Sequence, residues 1–196
     1  MRYRWVLNIV LGSVVAACST GPPISVAAPP PAPPQPAPKP APVVKTMVLT
    51  TATATIRDLA GTQVGSATFT DTFNGLLISG TVSGLGLGAH AVHIHAVGKC
   101  ESPFTSAGPH FDPMNKKHGF RIREGPHMGD LPNIDMPAAG TLKFEFLLKG
   151  VTVNGPNALL AGNGTSIVFH SGRDDFLTDP DGASGARLAC GVIRKA

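Results

Sequence analysis

From residue 43 onward the sequence predicts an all-β sandwich or barrel. Three observations carry that reading. Short runs rich in Val, Thr, Ile and Phe recur along the chain, their apolar residues alternate with a period close to two, and Gly, Asn and Asp mark the breaks between them. No stretch keeps the 3.6-residue period of an amphipathic helix. Short strands between glycine-marked turns are the pattern of sandwiches and barrels.

The first 42 residues are of another kind. Arg2 and Arg4 precede an almost wholly apolar run, Trp5 to Ala17. That run is too short for a stable bilayer-spanning helix and matches the core of a signal peptide. It ends Val15-Ala16-Ala17-Cys18, which looks like a bacterial lipobox, with the Cys18 thiol as the site of lipidation and the mature N-terminus. Ser19 follows where an Asp would mark inner-membrane retention. Residues 22–42 then hold 11 prolines in 21 positions. Such a run donates no ladder hydrogen bonds and forms polyproline II. At ~3.1 Å per residue it reaches roughly 65 Å, enough to hold a domain off a membrane. The expected organisation is a lipoprotein signal peptide at 1–17, a lipidated N-terminus and linker at 18–42, and one folded domain at 43–196.

Within that domain, strands are expected at 47–57, 63–70, 76–83, 89–96, 140–149, 166–170 and 188–194. Residues 97–139 carry no convincing strand. A loop of that length inside a compact domain points to function, and this one contains Cys100, His110, His118, His127 and Asp130. Composition narrows the function. Hydrophobic residues at 42% and charged residues at 14% exclude a disordered chain. One Trp and one Tyr supply no stacking platform, and the net charge of +4 owes Arg2, Arg4 and Lys39 to the first 42 residues, which hold no acid. Nucleic acid is therefore excluded as an expected partner.

His93-Ile94-His95 lies on an expected strand, where residues two apart share a face. Val92 and Ile94 then face the core and both imidazoles face the outer wall. A His-x-His pair is half a site for copper or zinc. His110, His118, His127 and Asp130 offer imidazole and carboxylate donors, and four ligands close a tetrahedral zinc site. His170 ends the apolar run Ser166-Ile167-Val168-Phe169.

These motifs, together with Ser106-Ala107-Gly108-Pro109-His110-Phe111-Asp112-Pro113, His118-Gly119, His127-Met128-Gly129-Asp130-Leu131 and Gly185-Ala186-Arg187-Leu188-Ala189-Cys190-Gly191-Val192-Ile193, resemble copper/zinc superoxide dismutase, in its exported bacterial form. The resemblance spans about Val43 to Lys195 and implies a Greek-key β-barrel, immunoglobulin-like, of about eight antiparallel strands with long metal-binding loops. It implies one copper per chain on His93, His95, His110 and His170, and one zinc on His110, His118, His127 and Asp130, with His110 bridging both. His90 matches a structural position. Asp174 matches a carboxylate that joins His93 to His118 through their other ring nitrogens, while Asp175 is left at the surface. Cys100 and Cys190 match a disulfide, so the odd cysteine count of three resolves as that pair plus Cys18. Arg187 matches the guide for superoxide, the small anionic substrate, and His110 the catalytic ring that takes up a proton and returns it to peroxide. The implied reaction is dismutation to dioxygen and hydrogen peroxide, protecting the cell envelope. A lipid anchor at Cys18 would place the chain at the periplasmic or outer surface of a membrane. Bacterial family members vary in assembly, a homodimer among the options. The alternative is a non-catalytic metal-binding envelope lipoprotein, which would need neither a complete copper set nor Arg187.

Overall fold

The computed structural model describes residues 49–196. The signal segment, Cys18 and the Pro-rich run at 22–42 lie outside the described residues. Ten strands follow one another: β1 Thr51–Asp58, β2 Gln63–Thr72, β3 Gly75–Ser83, β4 Gly88–His90, β5 Val92–His95, β6 Ile134–Met136, β7 Thr141–Leu148, β8 Ser166–His170, β9 Arg187–Val192 and β10 Arg194–Lys195. Among the described residues the one helical element is a single 3-10 turn at Thr105–Ala107.

The main sheet is antiparallel and runs β5-β8-β9-β1-β2-β3-β7, with β10 paired to β1. β1, β2 and β3 form a meander. The chain then crosses from β3 to β5, back to β7, and over again to β8, which is Greek-key connectivity. Alternation explains the curl. In β1, Ala52, Ala54 and Ile56 are buried while Thr53, Thr55 and Arg57 face solvent. The same one-sided burial in β2 and β3 aims Phe69, Leu76, Ile78 and Val82 inward. Phe144 on β7 meets Phe169 on β8 with ring centroids 5.8 Å apart, although these strands stand near opposite ends of the sheet. Rolling the sheet into a barrel is what brings those ends together around one core.

Three expectations change. The strand expected at 188–194 is β9 and β10, interrupted at Ile193, whose N–H donates to Thr165 O. The strand expected at 89–96 is two strands broken at Ala91, whose N–H donates to Gly172 O and whose carbonyl accepts from His170 N. β4 before the break pairs with β6, and β5 after it pairs with β8. The stretch 97–139, expected to hold no strand, contains β6, three residues long and buried on alternate positions.

β5 ends the sheet, and the long loop covers its free edge. Ile94 N donates to Gly129 O at 2.8 Å, Phe111 N to Ile94 O at 2.8 Å, and Ala96 N to Pro109 O at 2.8 Å. Those bonds satisfy an edge that would otherwise recruit another chain. Gly129 permits the approach, because a Cβ there would strike Ile94 O. The disulfide Cys100–Cys190 ties the loop to β9. On the far side, an irregularity between Phe169 and His170 leaves His170 opposite Arg187. A bulge beside a site re-aims side chains in this way.

Candidate metal centre

Val92 and Ile94 point into the core, and His93 and His95 point the other way, as the strand period requires. Both rings are nevertheless fully buried, because the loop stitched to the β5 edge lies over them. β8 delivers His170 after the inward Phe169. The β5–β6 loop delivers His110, His118, His127 and Asp130, and the β8–β9 loop delivers Asp174.

The rings form two groups. His93, His95, His110 and His170 each offer one nitrogen, all within 4.8 Å of one another. His93 Nδ1 faces His170 Nε2 at 3.3 Å. The second group converges on one oxygen: Asp130 Oδ1 lies 2.9 Å from His110 Nδ1, 3.1 Å from His118 Nδ1 and 3.4 Å from His127 Nδ1. His110 Nδ1 and His127 Nδ1 are 3.4 Å apart. By mutual distance alone, His127 falls outside the second group and His93 takes its place beside His110, His118 and Asp130. His93 Nε2, however, is engaged by Asp174, so Nδ1 is the atom free for the first group.

Two buried nitrogens, His95 Nε2 and His110 Nε2, have no hydrogen-bond partner among the described residues, and His118 Nδ1 faces only the Asp130 carboxylate, at 3.1 Å. An unpaired buried polar atom costs about 1–3 kcal/mol. Such atoms gathered in one cluster mark a donor set shaped for cations, and imidazole with carboxylate suits zinc and copper. His110 belongs to both groups, with Nδ1 beside Asp130 and Nε2 buried without a partner.

The nitrogens facing away from the groups are held. Asp174 accepts from His93 Nε2 at 2.8 Å on one oxygen and from His118 Nε2 at 2.9 Å on the other. His95 Nδ1 bonds Gly108 O at 2.8 Å. His170 Nδ1 lies 3.0 Å from Ser184 Oγ and 3.3 Å from Gly185 O. Such contacts fix ring orientation and tautomer. His90 stays outside both groups, with Nδ1 at 2.7 Å from His170 O.

Burial lowers His110 to about 4 and His170 to about 3, and pushes His95 well below its ordinary value. Burial also pulls on His118, but the Asp130 and Asp174 carboxylates outweigh it and raise that ring to about 9. Burial opposes the charge on Asp130 and Asp174, yet hydrogen bonds from the rings hold both far below the usual carboxylate range.

Arg187 sits half-buried beside this cluster. Its Nη1 donates to Phe104 O at 2.7 Å and its Nη2 to Gly108 O at 2.8 Å. Phe104 holds a left-handed φ of 72°, rare for a bulky residue, and its carbonyl is what Arg187 grips. Lys117 is paired with Asp179 at 3.0 Å on the surface.

Several residues that organise the site carry no pattern in the sequence. Asn133 clamps the Asp174 backbone in both directions, with bonds of 2.9 Å to its O and from its N. Asp179 accepts from His118 N at 2.9 Å. Ser184 touches His170. Asp175, expected only as surface, caps a turn by accepting from Leu177 N and Thr178 N at 2.8 Å. For Asp179 alone there was a cue, the Asp179-Pro180-Asp181-Gly182 turn leading to Arg187.

A Greek-key barrel that buries five imidazoles and a carboxylate in two adjoining donor groups on its outer wall, with His127 against that carboxylate, defines a binuclear metalloprotein. Residues 63–193 match the family model described as copper/zinc superoxide dismutase (SODC), and the chain belongs to that family. It is similar to superoxide dismutase [Cu-Zn] 1 of Aquifex aeolicus, at 42% identity over 145 residues, covering 72% of this chain and 86% of that protein. A superoxide dismutase [Cu-Zn] of Caulobacter vibrioides is 39% identical over 149 residues, covering 74% of this chain and 86% of that one. Among solved structures, a double mutant of a SOD-like protein from Bacillus subtilis superposes with a TM-score of 0.69 at 32% identity, over 74% of this chain and 97% of that one.

Proposed function

We propose that this chain disproportionates superoxide, with copper held by His93, His95, His110 and His170 and zinc by His110, His118, His127 and Asp130. The observation that carries the reading is His110, whose two ring nitrogens serve different donor groups, Nδ1 beside Asp130 and Nε2 buried without a partner. Held there, copper would supply a one-electron couple and zinc would supply charge without redox chemistry. Two superoxides and two protons become dioxygen and hydrogen peroxide.

The chain's own groups do the rest. The Arg187 guanidinium, a cation by its chemistry, attracts and orients the small anion. The carbonyls of Phe104 and Gly108 set its position. His110 Nε2 is the atom at which the shared ring can hold a proton and hand it to the departing peroxide. Asp174 keeps His93 and His118 in the tautomers that leave their Nδ1 atoms free. Metal content and superoxide consumption, measured on the protein and on the His93→Ala, His95→Ala double variant, test this. Copper and activity should both fall in the variant while zinc is retained; unchanged consumption would refute the assignment.

The lipobox pattern at Val15-Ala16-Ala17-Cys18 and the Pro-rich run support an anchored location in the bacterial envelope, and the disulfide suits an oxidising compartment there. Cys18→Ala should abolish metabolic labelling by a fatty-acid probe; retained labelling would remove the anchor.

A further inference from the structure

Ser184 is fully buried, and its hydroxyl lies 3.0 Å from His170 Nδ1. The carbonyl of Gly185 is a second neighbour of the same nitrogen at 3.3 Å. These two partners are not equivalent. A carbonyl only accepts, whereas a hydroxyl donates or accepts.

The proton positions follow from the neighbouring bonds. The Asp174 carboxylate accepts, so His93 Nε2 carries a proton and the neutral ring keeps a lone pair on Nδ1. That lone pair faces His170 Nε2 at 3.3 Å. Two lone pairs at that distance repel, so His170 carries its own proton on Nε2 when no metal lies between the rings. Its Nδ1 is then an acceptor, and only Ser184 can donate to it. With a metal on His170 Nε2, the ring proton must move to Nδ1, where Ser184 Oγ or Gly185 O accepts it.

We propose that Ser184 is a positioning residue that pairs with His170 Nδ1 in both tautomers, donating to it in the copper-free site and accepting from it in the loaded one. The proposal rests on His170 as a copper ligand. Its consequence is that the hydroxyl stabilises the empty site specifically, because Gly185 O can replace it only in the loaded one. Removing it leaves a buried nitrogen unpaired before copper binds, a loss of the kind that costs several-fold to a hundredfold in an equilibrium.

The test uses the full chain loaded with zinc alone, 15N-labelled at histidine, at about pH 8, above the ordinary imidazole range. Ring nitrogen shifts should show His170 protonated on Nε2 in the native chain, with a hydrogen-bonded Nδ1 that becomes an unpaired one in Ser184→Ala. Copper affinity, read by chelator competition, should be about tenfold tighter in Ser184→Ala, with zinc affinity unchanged. A native His170 protonated on Nδ1, or a variant that binds copper equally or more weakly, overturns the proposal. If Ser184→Ala does not fold, the native tautomer alone decides. Failure of copper to bind either chain would instead bring down the ligand assignment itself, and this proposal with it.

Discussion

Asp174 shows how much one side chain decides here. Each of its oxygens accepts from a different imidazole, and it is fully buried. Asparagine preserves the shape but replaces one acceptor with a donor, so one ring loses its partner and with it the tautomer that exposes Nδ1. Asp174→Asn should therefore weaken metal binding about 10–100-fold, read by chelator competition, with little change in the circular dichroism of the barrel. Native affinity for both metals would contradict this role. At this scale the sequence showed the donors and hid their supports. His93, His95 and Asp130 stand in spaced motifs, because a metal demands particular residue types at particular offsets. Asn133 and Ser184 act through one hydrogen-bonding group each, and a single Asn or Ser in a loop has neither period nor spacing to mark it.

Among the elements, the two long loops are organised by contact with each other and with the β5 edge. Gly182, at φ +69°, lies directly over the bond between Asp174 and His118, where a Cβ would collide with Asp174 Oδ1 and His118 Nε2. Gly182→Ala should separate those two side chains. The expected outcome is a lower zinc content and a lower thermal midpoint for the metal-loaded protein. An unchanged zinc content on the same preparation would show that the loop relaxes without cost. The sequence made the long loop legible as an anomaly, since so many residues without a strand period had to be held by something. It concealed β6, because three residues offer too few alternations to read, and it merged β4 with β5, because the break at Ala91 is made by Gly172 and His170, far away in the chain.

For the molecule as a whole, the buried rings make stability depend on pH. In the metal-free protein, His110 and His170 stay neutral down to about 4 and about 3, whereas the unfolded chain protonates them near 6.5. Between those values the unfolded state binds more protons, so stability is lost as the pH falls from about 6.5. His118 has the opposite sign. Raised to about 9, it adds stability that is complete below about 6.5 and is lost as the pH rises through about 9. Urea midpoints of the metal-free protein should peak near neutrality and fall on both sides. Zinc should remove the alkaline fall, because a metal-bound His118 Nδ1 has no proton left to lose. A metal-free profile that keeps rising to pH 10 would contradict the charged His118. The Gly108 carbonyl carries a last consequence. It accepts from Arg187 and from His95, and it belongs to the segment that the Cys100–Cys190 bond ties to β9, three residues beyond Arg187 itself. Arg187 and His95 thus share a single oxygen, in a segment tethered by a bond that oxidising surroundings favour. Chemical competence is thereby tied to redox state: a copy whose thiols remain reduced lacks the tether that steadies this oxygen.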